Sequence, residues 1–237
     1  MSTSIYKTTA QVTFFSTVEK TLSFIYRIAL SRMIGAEGLG IYQIALSVFS
    51  VLLTAASSGV PVTVSRLITK QNALGNTAGR SAVVTAGIVS TLIFTVPAVA
   101  LIFGGQKIFG LLFSDERCLE VFLIILPGLI LTSVYSVMRG AFWGDRQFMP
   151  YSLIELAEDA LMVGLGCILV AGAAGAADGA RRAAVAVFVS YVFSFAVSLF
   201  WYFKKGGRLV NPSKQLKPLL SSSLPVTAMR TATSLLN

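Results

Sequence analysis

Residues 81–106 read SAVVTAGIVSTLIFTVPAVALIFGGQ, without one Asp, Glu, Lys or Arg. A helix of about 20 apolar residues crosses a bilayer core, so this stretch is long enough to span one. The same uncharged pattern recurs at 41–65, 121–138, 160–177 and 183–203. A further apolar stretch, 8–31, is interrupted by Glu19, Lys20 and Arg27. Repeated uncharged runs of this length argue against a water-soluble helical domain. The solvent of this chain is lipid, and its function is to be sought where polar groups enter the lipid-facing pattern.

Composition agrees. Hydrophobic residues make up 55% of the chain, charged residues 12%, and mean hydropathy is +0.78. Soluble domains carry about 25% charged residues. The net charge of +9 sits mainly in loops beside the spans, where a cytoplasmic leaflet attracts it; it does not point to nucleic acid. Cys118 and Cys167 form neither a metal-ligand spacing nor a disulfide framework, and the chain has no His. The commonest zinc ligand and acid–base side chain is thus missing. No cofactor and no enzymatic activity are expected. The first apolar stretch lacks a secretory cleavage pattern and is expected to remain as a membrane helix.

The pattern predicts an all-α polytopic membrane protein with helices over about 8–31, 41–69, 81–103, 118–138, 151–174 and 183–203, and a seventh beginning near 218. In domain terms, 1–203 reads as a six-helix transmembrane bundle, 204–217 as a basic cytoplasmic linker, and 218–237 as the first helix of a second, truncated bundle. Gly35, Gly38 and Gly40 are expected to break the first connection. With a cytoplasmic N-terminus, the inner segments carry eleven Lys and Arg and the outer loops five. The positive-inside rule therefore favours an inner-membrane protein with its N-terminus in the cytoplasm.

Polar residues inside the spans are the site candidates. Lys20 and Arg27 are seven residues apart and share one helical face. A charge at the bilayer centre costs about 2.5–3.5 kcal/mol, so that face is expected to line a polar cavity. Snorkelling or structural pairing is the alternative. Pro61 has no N–H, and the carbonyl of Ser57 is expected to lose its helical partner at a kink. Glu155, Glu158 and Asp159 form an acidic stripe in the first turns of the fifth helix. Such a stripe suits cation binding, proton carriage or pairing with Lys20 and Arg66, while acids near a helix N-terminus also have a purely structural explanation in the dipole.

Three segments carry a resemblance. They are Ser31-Arg32-Met33-Ile34-Gly35-Ala36-Glu37-Gly38-Leu39-Gly40-Ile41-Tyr42-Gln43; Ser58-Gly59-Val60-Pro61-Val62-Thr63-Val64-Ser65-Arg66-Leu67; and Arg139-Gly140-Ala141-Phe142-Trp143-Gly144 running through Pro150 to Glu158. Together they resemble the multidrug/oligosaccharidyl-lipid/polysaccharide flippase superfamily, and within it the stage V sporulation protein B and oligosaccharide flippase branch. Leu224-Pro225-Val226-Thr227, followed by Arg230, extends the resemblance to the seventh helix. Members of this superfamily consist of two six-helix bundles related by a pseudo-twofold axis, so the resemblance implies one bundle and the start of the next. It also implies movement of an undecaprenyl-linked oligosaccharide or peptidoglycan precursor across the membrane by alternating access, with cavity cations holding the pyrophosphate. Lys20 aligns with a cavity arginine of the related lipid II flippases, and Arg27 lies one residue from the position of another. Arg66 and Arg230 complete the set of cationic candidates.

Other readings stand beside this one. A cation-coupled multidrug-type exporter of the same fold would use the acidic stripe as its coupling site. A non-transporting fragment, or a scaffold for cell-wall synthesis enzymes, would need neither. The expected partners are the bilayer, a lipid-linked sugar pyrophosphate and cell-wall synthesis enzymes. One bundle alone lacks the opposite wall of a cavity, so residues 1–237 are expected to insert without transporting by themselves.

Overall fold

The computed structural model describes residues 2–236 apart from Ser58, Leu112 and Ser114; side chains 2–5, 7–8, 213–214, 224, 230 and 234–236 also lie outside the description. The described residues form helices and connecting turns, with no strand among them. The helices are α1 (Ser2–Ser57), α2 (Val60–Ala73), α3 (Thr77–Gly104), α4 (Gln106–Gly110), α5 (Glu116–Ile125), α6 (Gly128–Gly144), α7 (Phe148–Ala171), α8 (Ala176–Lys204) and α9 (Ser213–Leu236).

The apolar stretches become helices as expected, but the breaks differ. Gly35 alone interrupts α1, at φ 71° and ψ −179°. That positive φ is the left-handed region, which a side chain disfavours. Gly38 and Gly40 lie inside the helix that follows, so the expected loop over the three glycines is a single-residue break. The expected interruption before Pro61 is a helix boundary rather than a kink within one helix: α1 ends at Ser57, Gly59 is the N-cap of α2, and Pro61 falls in its first turn. There the missing N–H costs nothing, because the first N–H groups of a helix have no internal partner. The expected span 118–138 is a bent pair, α5 and α6, at 42°. Pro127 in the break can supply no helical N–H, which accounts for the bend. At the far end, α9 starts at Ser213, ahead of Pro218.

By length and hydropathy, Thr9–Ala73, α3 and α8 can each cross a membrane, and the α5–α6 pair adds a fourth candidate. The six-plus-one count of the sequence reading is not reached by that measure. One reason is that the first two expected spans run on through Gly35; another is that α7 carries three acids near its start. Large apolar side chains stand outward, among them Phe14, Leu101, Ile168 and Phe200. In water such a surface is an aggregation hazard; in lipid it is the solvated face. Several buried hydroxyls are satisfied within their own helices: Thr95 donates to the Thr91 carbonyl at 2.9 Å and Ser133 to that of Leu129 at 2.6 Å, which lets apolar helices carry polar side chains inward. Ser90 Oγ and the Tyr26 hydroxyl are buried without a partner among the described residues.

The chain forms two compact units. One comprises Met1–Val48, Gln106–Pro127 and Phe148–Ser194; the other comprises Phe49–Gly105, Gly128–Gln147 and Phe195–Asn237. In the second unit, α2 packs on α3 and α6, and α9 packs on α2 and α3. Gly140 and Gly144 of α6 make the α2 contact possible. A Cβ at Gly140 would lie 2.6 Å from the Pro61 carbonyl oxygen, and one at Gly144 would lie 2.7 Å from Ile68 Cγ2. This is the small-xxx-small packing of membrane helices. In the first unit, a Cβ at Gly38 would lie 2.8 Å from the Ala176 carbonyl oxygen.

Candidate functional site

Among the described residues, charged side chains line a recess in each unit. The first is an open cleft of about 450 Å³ lined by Glu19, Lys20, Ser23, Phe24, Arg27 and Asp159. The seven-residue spacing on α1 places both cations on it, as the face argument requires. The register of α7 against α1 then selects Asp159. Gly166 meets Tyr26 so closely that a Cβ there would lie 2.1 Å from its hydroxyl. Of the acidic stripe, only Asp159 lines the cleft; Glu155 and Glu158 do not. The cleft therefore carries two cations and two acids, a mixed field in which an anion meets attraction and repulsion together.

The second recess is smaller, about 170 Å³, and is lined by Thr63, Arg66, Leu67 and Lys70 of α2 with Ser222 of α9. Arg66 thus faces α9 within its own unit. Lys70 and Ser222 were not singled out in the sequence. Lys70 had a signal, its one-turn spacing from Arg66; Ser222 had none, because its place depends on how α9 packs. Pro61 lies beside this region through the α2 turn. Gly59 N–H donates to Thr227 Oγ1 at 3.1 Å, and Gly59 O accepts from Thr63 Oγ1 at 3.1 Å. A Cβ at Gly59 would sit 2.5 Å from Thr227 Oγ1. The two Pro-Val-Thr segments, at 61–63 and 225–227, are joined by this contact. The side chain of Arg230 lies outside the described residues.

The remaining motif residues make contacts within the helices and their connections. Glu37 of the first motif accepts from Arg117 Nη1 at 2.7 Å, and Arg117 also grips Asp115. Those hydrogen bonds hold the Asp115 carboxyl below its usual range. Arg139 lies 5.7 Å from the centre of the Trp143 ring. After Gly144, Asp145 receives both Nε and Nη2 of Arg80 and, at 2.9 Å, the Asn72 amide. Arg80 and Asp145 are 17% and 10% exposed, so this network is a partly buried charge pair that ties α2 and α3 to the end of α6. Pro150 occupies the first turn of α7, where a proline is tolerated.

Comparison with known proteins places this architecture. The family described as polysaccharide biosynthesis protein matches residues 5–237. The chain belongs to the polysaccharide biosynthesis protein family. Among curated relatives, stage V sporulation protein B of Bacillus subtilis (strain 168) is 26% identical over 230 residues, covering 90% of this chain and 43% of the relative. Lipid II flippase MurJ of the same organism is 24% identical over 174 residues, covering 69% of this chain and 32% of the relative. The chain thus spans less than half the length of these relatives. Solved structures share its fold. A multidrug resistance MATE family transporter of the MOP superfamily, in an outward-facing conformation, matches with a TM-score of 0.78 at 20% identity, covering 97% of this chain and 53% of that one. A MOP superfamily transporter from Pyrococcus furiosus, reported with a binding pocket of reverse polarity, matches with a TM-score of 0.76 at 18% identity, with 97% and 53% covered. The resemblance to the flippase superfamily and its sporulation protein B branch is therefore shown, and family membership with its apolar helices makes this a multi-pass membrane protein.

Proposed function

We propose that this polysaccharide biosynthesis family member serves a flippase that moves an undecaprenyl-linked sugar pyrophosphate, an oligosaccharide or a peptidoglycan precursor, across the cytoplasmic membrane by alternating access. The observation that carries the reading is the open cleft in which Lys20 and Arg27 stand together on α1. Two cations on a helix of apolar surroundings need a ligand, water or an acid, and Lys and Arg both bind phosphate oxygens through charge-assisted hydrogen bonds. What is placed in these residues is ligand contact, not the whole transport cycle, since the chain spans less than half of its relatives. Arg66 belongs to the same cationic set, in the second unit. Arg230 is retained as a candidate from its sequence position. In this reading the N-terminus and residues 204–217 are cytoplasmic and 104–117 lie outside; the division into 1–203, 204–217 and 218–237 is kept as a proposal on composition.

The test is binding of undecaprenyl-pyrophosphoryl sugar to the purified chain, read by native mass spectrometry beside the uncharged polyprenol. The wild type is expected to prefer the pyrophosphate form, and K20Q/R27Q to lose about a hundredfold in affinity for it, each charged hydrogen bond contributing roughly 1.5 kcal/mol. Equal binding of both lipids by the wild type contradicts the reading. Topology is tested separately in a cysteine-free background: a Leu209→Cys variant is expected to resist an impermeant thiol reagent in intact cells, and labelling there would reverse the orientation.

A second reading draws on Glu19 and Asp159, which share the cleft with the cations. A cation-coupled exporter of the same fold would use those acids for the coupling ion. It predicts that E19Q/D159N abolishes an ion-dependent binding step, whereas the flippase reading predicts that removing the acids strengthens pyrophosphate binding. Scaffolding of cell-wall synthesis enzymes is a third reading, which no feature of the cleft favours.

A further inference from the structure

We propose that α2 and α9 form a second, dedicated phosphate site, in which Arg66 and Lys70 bind a phosphate monoester or diphosphate and the Ser222 hydroxyl donates to it. The pocket is lined by Thr63, Arg66, Leu67, Lys70 and Ser222 and measures about 170 Å³. Recesses for drug-sized ligands begin at about 300 Å³, so this one suits a small anion rather than a whole sugar-lipid headgroup.

Charge is the first argument. Arg66 and Lys70 lie one turn apart on α2, and both are exposed. Like charges at that spacing destabilise a helix. Four arginines elsewhere are paired with acids: Arg80 with Asp145, Arg117 with Asp115 and Glu37, Arg181 with Glu120, and Arg182 with Asp178. Among the described residues, no carboxylate forms an ion pair with Arg66 or Lys70, and no acid lines their pocket. The helix dipole accounts for Lys70, which is in the last turn; it does not account for Arg66, in the middle of α2. An anion between the two relieves their repulsion.

Donor geometry is the second argument. Ser221 and Ser223 turn their hydroxyls back to the Pro218 and Leu220 carbonyls. Ser222 makes no such bond among the described residues and faces the cationic pair. The Thr63 hydroxyl is committed to the Gly59 carbonyl, so Thr63 contributes wall rather than donor. The guanidinium offers a planar fork to two phosphate oxygens, and the ammonium adds a point charge. This assignment rests on the transport reading for Arg66 as a phosphate-binding candidate, and its test, made without the α1 cations, reads binding alone.

The phosphate reaches the pocket either on a lipid headgroup or free in solution, and both sources are probed. The chain is purified in dodecyl maltoside in a K20Q/R27Q background, so that ligand held by α1 does not contribute. Sodium pyrophosphate is titrated by calorimetry, and dioctanoyl phosphatidic acid by native mass spectrometry. At least one is expected to bind with submillimolar affinity; which one does identifies the source. Adding R66Q/K70Q is expected to weaken that binding at least about tenfold, and adding S222A about threefold. R66K is expected to recover part of the loss, and K204Q/K205Q, two exposed cations elsewhere, to leave affinity within about twofold. Elution as a monodisperse peak checks that each variant is folded, and K70Q alone serves if the double variant is not. Absence of binding by either probe overturns the site. So does equal weakening by K204Q/K205Q, which would mean diffuse attraction to a basic protein.

Discussion

The two recesses differ in one respect that matters. The cleft of the first unit mixes Lys20 and Arg27 with Glu19 and Asp159, whereas the pocket of the second unit joins Arg66 and Lys70 with no acid. A mixed cleft holds a charged ligand with part of its attraction cancelled, which suits a site that must release what it binds. A purely cationic pocket of small volume suits retention of a phosphate. Both are built from cations one or two helical turns apart. What separates them is the partner helix: α7 brings a carboxylate, and α9 brings a hydroxyl.

The largest expected effect breaks the second unit and spares the first. Asp145→Ala strands the partly buried Arg80 guanidinium; losing one partner of a fully buried pair costs about 3–5 kcal/mol, and the partial exposure of this pair lowers the expected loss to about 2 kcal/mol. Hydrogen exchange in α2, α3 and α6 is expected to accelerate strongly, and that in α7 much less. Uniform acceleration would show that the division into units has no energetic meaning. The corresponding change at the exposed pair, Asp115→Asn, is expected to have little effect at neutral pH, as exposed pairs generally do. The sign with pH is fixed: Asp115 is held below its ordinary value, so whatever stability it contributes is present above about pH 4. It is lost as pH falls through the lowered value.

A smaller effect sharpens the comparison of charge. Asp159→Asn removes repulsion from the cleft and is expected to raise affinity for a pyrophosphate-bearing lipid about threefold, on the order of 0.7 kcal/mol. It is expected to leave pyrophosphate binding at Arg66 and Lys70 unchanged. Weaker binding of the lipid in the variant would show that Asp159 positions the cations or serves an ion of its own.

Much of this was legible in the sequence, for identifiable reasons. Uncharged runs fix helices, because a backbone in lipid must satisfy itself, and a seven-residue spacing fixes a shared face, so Lys20 and Arg27 were found together. The family motifs were visible, but their physical roles were not. Gly140 and Gly144 are explained only by the approach of α2, and Glu37 only by the position of Arg117. Gly35, Gly38 and Gly40 look alike in sequence, while only Gly35 has the backbone that breaks a helix. The stripe of Glu155, Glu158 and Asp159 is a correct reading of spacing; which member reaches the cleft depends on the register set where Gly166 meets Tyr26. Ser222 lies far along the chain from Arg66, and nothing local announces their meeting.

The central claim is that the cationic face of α1 holds the pyrophosphate of a lipid-linked sugar. Photo-crosslinking tests it most directly. An undecaprenyl-pyrophosphoryl sugar bearing a diazirine beside the pyrophosphate is incubated with the chain in lipid nanodiscs, irradiated, and the adducts are mapped by peptide mass spectrometry. The account predicts adducts concentrated on residues 19–27 and around Asp159, and their loss in K20Q/R27Q. Adducts spread over the lipid-exposed helix surfaces, unchanged by that double substitution, would contradict it.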